Sequence, residues 1–357
     1  MREKGIGRVV EIFGDMGLDA CILRGMDNIF YLTGFRGSEG VLVVTRGDVL
    51  LLTDSRYVTH ATEVTKDVKV VETQPRTNTL SEVCERYAIH SMGFDGVNTT
   101  YDVYARWKEQ LAGVEITPLP VAIEAIRAVK EPAEIEAIKK AVRCATDAFN
   151  ETFEKIRPGV TEKAIARDLE YAMERHGADS PSFSTIVASG PRAAMPHAEP
   201  TDKELREGEV VIIDFGAQVD GYCSDETCTL SVGEPNGKIH EIFSIVQGAL
   251  DLGLRSIKAG MPAGDLDMIV RGFIEERGYG AYFRHGLGHG VGVAVHEAPT
   301  VSTQSGGLLE ANMVFTVEPG IYVPHLGGVR LEDMVLLEED RTTILTHIRK
   351  DMLKIKV

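Results

Sequence analysis

Two stretches of this 357-residue chain carry one pattern twice, 101 residues apart. Ile156-Arg157-Pro158-Gly159 leads into a helix-like segment ending in Glu174-Arg175-His176-Gly177. Ile257-Lys258-Ala259-Gly260 leads into another ending in Glu275-Glu276-Arg277-Gly278. The offset agrees at both pairs of glycines (159 and 260, 177 and 278), although few side chains are identical. A repeat on this scale predicts a C-terminal domain of two related halves that enclose a site between them.

The chain is long enough for two domains. In the first 120 or so residues, helical spacing over Ile6 to Met16 is followed by a short apolar strand, Ala20 to Leu23. Gly40 to Val44 and Val49 to Leu52 then read as a hairpin across the turn-rich Thr45-Arg46-Gly47-Asp48. Asp54 to Val64 reads as a helix and Val68 to Val71 as a strand, so this part is an α/β layer domain. Pro118 and Pro120 interrupt the chain before Ile123, which sets the expected boundary between domains 1–122 and 123–357. From Pro132, a first-turn proline, the residues Ile135, Ile138, Val142, Ala145, Phe149 and Phe153 mark one face of a long helix ending at Pro158-Gly159. Thr161-Glu162 starts the next helix, which carries Ile165, Leu169 and Met173 to Gly177.

A net charge of −16 repels phosphate backbones and anionic membrane surfaces, so neither nucleic acid nor a membrane is an expected partner. Cys21, Cys84, Cys144, Cys223 and Cys228 are odd in number and scattered, which argues for reduced thiols rather than a disulfide framework. The charged N-terminus does not read as a signal peptide, and no run approaches the roughly 18 apolar residues of a membrane span. A cytoplasmic protein is expected.

Five residues sit where charge is not expected. Val210-Val211-Ile212-Ile213 is a buried-strand run that ends on Asp214, and an unpaired carboxylate there costs several kcal/mol. Asp225 follows eleven residues on, after a turn at Asp220-Gly221, on what reads as the neighbouring strand. His289 lies in His285-Gly286-Leu287-Gly288-His289-Gly290-Val291-Gly292, where alternate glycines allow backbone and ligand to approach closely. Glu318 closes the apolar Val314-Phe315-Thr316-Val317, and Glu332 precedes the apolar Met334-Val335-Leu336-Leu337. Alone, each carboxylate reads as a turn or cap, and the histidine as a hydrogen-bonded core residue. Together, four carboxylates and one imidazole form a mostly oxygen ligand set, which favours Mn²⁺ and also suits Co²⁺, Fe²⁺ or Zn²⁺. Five ligands exceed the three or four of a single zinc site and argue for two divalent metal ions.

These segments resemble the pita-bread metallopeptidases, the family of aminopeptidase P, prolidase, methionine aminopeptidase and creatinase. The resemblance covers essentially the whole chain, because residues 1–122 look like a creatinase-type N-terminal domain. It implies an α/β (α+β) fold, with a pita-bread catalytic domain of two pseudo-repeated αβ halves. It also implies that Asp214 and His289 are end ligands, that Asp225 and Glu332 bridge the two metals, and that Glu318 is both ligand and proton carrier. His197 and His296 would steady substrate and oxyanion, and His285, Tyr322 and Arg330 would line the substrate site. A homodimer is implied as well.

The implied reaction is metal-dependent hydrolysis of the Xaa-Pro bond at the N-terminus of small peptides with proline in second position. Xaa-Pro aminopeptidase is the first reading and Xaa-Pro dipeptidase (prolidase) the alternative. The order rests on Thr300: many prolidases carry an arginine at the matching position, four residues beyond His296, to pair with the dipeptide carboxylate. A second departure is Cys228 in Ser224-Asp225-Glu226-Thr227-Cys228-Thr229, where the family often has arginine, which puts the charge around the ligands in question. A non-catalytic peptide-binding relative and a creatinase-like activity are disfavoured because all five ligands are kept. The long N-terminal domain disfavours methionine aminopeptidase.

Overall fold

The computed structural model describes residues 2–74 and 78–356, so the outermost residues of the two expected domains, Met1 and Val357, lie outside the described residues. The chain divides into two compact units, Met1–Arg127 and Ala128–Val357.

The first unit is built on a six-stranded sheet. Its order is Lys69–Glu72, Val49–Thr53, Val41–Thr45, Ala20–Leu23, Ser91–Phe94, Glu115–Pro118. Val41–Thr45 and Val49–Thr53 pair antiparallel, as the turn-rich connection predicts, whereas Ala20–Leu23 and Ser91–Phe94 run parallel. The helix expected from Asp54 starts only at Val58. The physical reason is local: the Asp54 carboxylate accepts the Arg56 N–H at 2.9 Å and holds 54–57 in a turn.

In the second unit the repeat is visible in the backbone. Gly159, Gly177, Gly260 and Gly278 all take positive φ (84°, 103°, 81° and 82°), the left-handed conformation that glycine adopts without Cβ strain. The main-chain bonds also correspond. Gly159 donates to Leu205 and Leu205 back to Val160, while Gly260 donates to Leu309 and Leu309 back to Met261. Each half stacks two helices on a sheet. Pro132–Phe153 and Glu162–Arg175 share a core of Ala145, Phe149, Ile165 and Leu169 with Val211, Ile213 and Leu230. Gly237–Ser256 and Ala263–Glu275 share another, of Val246, Leu266 and Val270 with Phe315, Val317 and Val335.

The helix from Pro132 begins where its proline predicts. Pro132 lacks an N–H that would otherwise go unpaired, and Glu134 accepts the Glu131 N–H at 2.9 Å. The next helix starts on Thr161, whose hydroxyl accepts the Ala164 N–H. The sheet of the first half runs Leu353–Ile355, Glu226–Val232, Val210–Phe215, Ile186–Ser189. That of the second runs Glu297–Val301, Gly288–Gly290, Val314–Val317, Asp333–Leu337, Thr342–Ile344. Among the described residues no helix is long and apolar enough to cross a membrane.

Candidate metal centre

The five expected ligands sit at or beside strand ends and line one cavity of about 540 Å³ within the second unit. Asp214 is the fifth residue of Val210–Phe215, whose six residues are all buried. Asp225 does not lie on the neighbouring strand, as expected, but one residue before it: Glu226–Val232 starts by pairing Glu226 with Phe215. The Asp220-Gly221 turn does form, with both residues at positive φ. Glu318 directly follows Val314–Val317, and Glu332 lies between Gly327–Arg330 and Asp333–Leu337.

The alternate glycines around His289 have a different main role from the one expected. A Cβ on Gly288 would meet the Thr316 carbonyl oxygen at 2.0 Å, and one on Gly290 would meet that of Ala298 at 2.1 Å. These glycines let neighbouring backbones pack tightly around the short strand that presents His289. Packing therefore explains them, contrary to the sequence reading.

Ligating atoms of Asp225, His289 and Glu332 lie within 4.8 Å of one another. His289 Nε2 is 3.5 Å from Asp225 Oδ2 and 3.5 Å from Glu318 Oε1. The other ring nitrogen, Nδ1, lies 3.2 Å from the Gly290 carbonyl, which accepts its hydrogen and leaves the Nε2 lone pair facing the carboxylates. Asp214 is held by Arg330, whose Nη2 donates to its Oδ2 at 2.6 Å.

Burial, then the charge of Glu332, pushes Asp225 well above the usual carboxylate range, and burial, then Glu318, does the same to Glu332. Burial pushes Glu318 up to about 8. Burial also holds His285 and His289 down to about 4, which leaves both imidazoles neutral near pH 7. Asp214 Oδ1, Asp225 Oδ1 and Glu332 Oε1 are buried without a hydrogen-bond partner. Crowded carboxylates with orphaned oxygens beside a neutral imidazole fit divalent cations, which would satisfy the oxygens and remove the repulsion.

Of the other expected residues, His197, His285, His296 and Arg330 line the cavity, and Tyr322 is not among the lining residues described. The His289 and His296 rings meet at 4.2 Å. Arg330 is occupied by the protein itself: besides Asp214, it donates to the Tyr322 hydroxyl at 2.9 Å, to the Pro196 carbonyl and to Thr227 Oγ1. Tyr322 in turn donates to His285 Nε2 at 3.0 Å, because His285 Nδ1 gives its hydrogen to the Gly286 carbonyl.

Residues that the sequence did not single out hold these histidines in place. Glu162 is buried and accepts N–H groups from both ends of the His197 loop, Ser189 at 2.8 Å and Thr201 at 3.0 Å, and also bonds Arg192 within it. Asp267 accepts the Leu287 N–H at 2.8 Å, and its partner Arg271 donates to the carbonyls of Phe283 and His285. The i,i+4 spacing of Asp267 and Arg271 was readable as a helix-surface pair, but its burial was not. Cys228 is buried among Phe215 and Leu230 with its thiol pushed up by burial, and the cation near it is Lys350.

A model of the creatinase/prolidase N-terminal domain matches residues 6–129, and a model of metallopeptidase family M24 matches residues 136–339. An Xaa-Pro dipeptidase of Pyrococcus furiosus is 35% identical over 99% of this chain and 100% of its own. Among solved structures, an Xaa-Pro dipeptidase from Bacillus anthracis superposes with TM-score 0.94 at 36% identity, over 99% of this chain and 100% of that one. An X-Pro aminopeptidase from Thermotoga maritima gives 0.92 at 37% identity, over 98% and 99%. With both family models matched in order and full-length relatives above 30% identity, the chain belongs to metallopeptidase family M24 and has its pita-bread fold.

Proposed function

We propose that this chain is an Xaa-Pro dipeptidase, with residues 123–357 as its catalytic domain and a dinuclear centre on Asp214, Asp225, His289, Glu318 and Glu332. The observation that carries the reading is the convergence of buried, unpartnered carboxylate oxygens and a neutral His289 in one cavity. Preference for the dipeptide reverses the order expected from Thr300 and rests on full-length relatives that carry the dipeptidase name. Xaa-Pro aminopeptidase stands as the second reading, supported by the Thermotoga maritima relative and by the threonine at position 300 on the cavity wall.

Two divalent ions bound there would acidify water to yield a nucleophile near neutral pH and polarise the scissile carbonyl. Glu318 takes the proton of the attacking water and passes it to the proline nitrogen as the bond breaks. A tertiary amide has no N–H, so that nitrogen depends on the delivered proton to leave. His197 and His296 donate hydrogen bonds to the carbonyl oxygen as it becomes an oxyanion, worth a few kcal/mol per donor. Arg330 and Tyr322 keep Asp214 and His285 in register through their own hydrogen bonds.

The test is to strip the protein with a chelator, restore Mn²⁺, Co²⁺ or Zn²⁺ separately, and assay Gly-Pro against a Gly-Pro-Xaa tripeptide. Cleavage of Gly-Pro restored by a divalent ion is the expected outcome; cleavage confined to the tripeptide favours the second reading, and no rescue by any ion overturns both. A further expectation concerns His285. Asp267→Asn weakens the bonds to Arg271 and Leu287, and should cost about 2 kcal/mol of stability in urea melts. It should also raise KM for Gly-Pro more than it lowers kcat, and an unchanged KM would separate His285 from substrate binding.

A further inference from the structure

We propose that Lys350 is a positioning residue for the metal centre, tying together from behind the two strands that begin directly after Asp225 and Glu332. This rests on the reading of those two carboxylates as shared metal ligands.

Consecutive residues of an extended chain face opposite sides, so the neighbours of the two ligands, Glu226 and Asp333, point away from the cavity. Both are buried, at 2% and 5% exposure. Glu226 opens Glu226–Val232 in the four-stranded sheet, and Asp333 opens Asp333–Leu337 in the five-stranded sheet. Lys350 Nζ donates to Glu226 and lies 3.4 Å from Asp333 Oδ1. Its side chain is 11% exposed.

The C-terminal segment that delivers Lys350 is fastened to the same two acids. The Ile348 N–H donates to Glu226 Oε1 at 3.0 Å, and Thr346 Oγ1 donates to Asp333 Oδ1 at 2.6 Å. On the cavity side the sheets are also joined, by Thr227 Oγ1 donating to Glu332 Oε2 at 2.6 Å and by the Glu332 N–H donating to the Thr227 carbonyl. Lys350 is thus the rear member of a two-sided clamp that sets how far apart Asp225 and Glu332 stand. That separation decides whether both carboxylates can share the same pair of ions.

Charge and geometry predict opposite results when the ammonium is removed. A nearby positive charge disfavours cation binding, so if charge dominated, Lys350→Met would bind metal more tightly. If Lys350 holds the sheets in register, the same substitution loosens the ligand pair and weakens binding.

The test is calorimetric titration of the chelator-stripped full chain with Mn²⁺. Lys350→Met is expected to lower Mn²⁺ affinity by about 10- to 100-fold, the range found when groups that orient metal ligands are removed. Lys350→Arg, which keeps the cation, is expected to recover most of that loss. Should Lys350→Met fail to fold because two buried acids lose their partner, the variant E226Q/K350M removes one charge of each sign, so that charge alone predicts no change, and it is expected to weaken binding likewise. Mn²⁺ affinity equal to or above that of the parent in folded K350M, or in the double variant, overturns the inference alone. A parent that binds no divalent ion overturns it together with the metal-centre reading.

Discussion

Asp225→Asn is expected to abolish turnover and at the same time stabilise the metal-free protein. Asp225 is buried, and its carboxyl is pushed up first by that burial and then by the Glu332 charge. In the unfolded chain an aspartate ionises near pH 4. Folding at pH 7.5 without a cation must therefore either return a proton to it or bury its charge. Asparagine, of nearly the same shape, does neither, so the exchange removes the cost of burying that charge and should stabilise the metal-free fold. As a proposed metal ligand Asp225 also supplies an oxygen that asparagine lacks, and kcat should fall by about a hundredfold or more. Thermal melts in chelator and steady-state assays in Mn²⁺ measure the two effects. A variant that loses activity because it is less stable would argue that Asp225 is a structural residue.

The metal-free protein should lose stability as pH rises from about 6.5 to about 8. Glu318 is raised from 4.5 to about 8, and Asp225 and Glu332 are raised as well. Between the unfolded and folded values the native state holds protons that the unfolded chain has released, so stability falls with pH. The histidines act in the opposite sense lower down. His285 and His289 are depressed from 6.5 to about 4, so in that interval the unfolded chain binds more protons and stability rises with pH. The two trends offset each other below about 6.5. Above it only the carboxylates act, so stability falls with pH until they ionise. Saturating Mn²⁺ should remove the decline, because cation binding keeps the carboxylates ionised and releases their protons. Urea melts at pH 6.5 and 8, with chelator or with Mn²⁺, measure this; a metal-free protein as stable at pH 8 as at 6.5 contradicts it.

The parts of this molecule that were legible in the sequence are those decided by local chemistry. The four repeat glycines mark four left-handed turns, Pro132 and Thr161 mark two helix starts, and Asp214 lies on a strand whose apolar run announces it. What the sequence could not reveal depends on partners distant along the chain. Lys350 reaches Glu226 across 124 residues, and Glu162 secures a loop that ends 39 residues later. Lys350 carried no signal at all and Glu162 showed only as part of a helix start, because nothing local says how little of either is exposed. The glycines beside His289 misled for the same reason: the carbonyls of Thr316 and Ala298 that exclude a side chain there come from neighbouring strands. Asp225 was expected on the strand that follows the Asp220-Gly221 turn, yet it stands one residue before Glu226–Val232.

A dinuclear centre on Asp214, Asp225, His289, Glu318 and Glu332 fixes how much metal each chain takes up. Chelator-stripped protein, dialysed to equilibrium against Mn²⁺, should hold two ions per chain, and Glu332→Gln should hold no more than one. Retention of a single ion by the parent, with full activity on Gly-Pro, would contradict the dinuclear account.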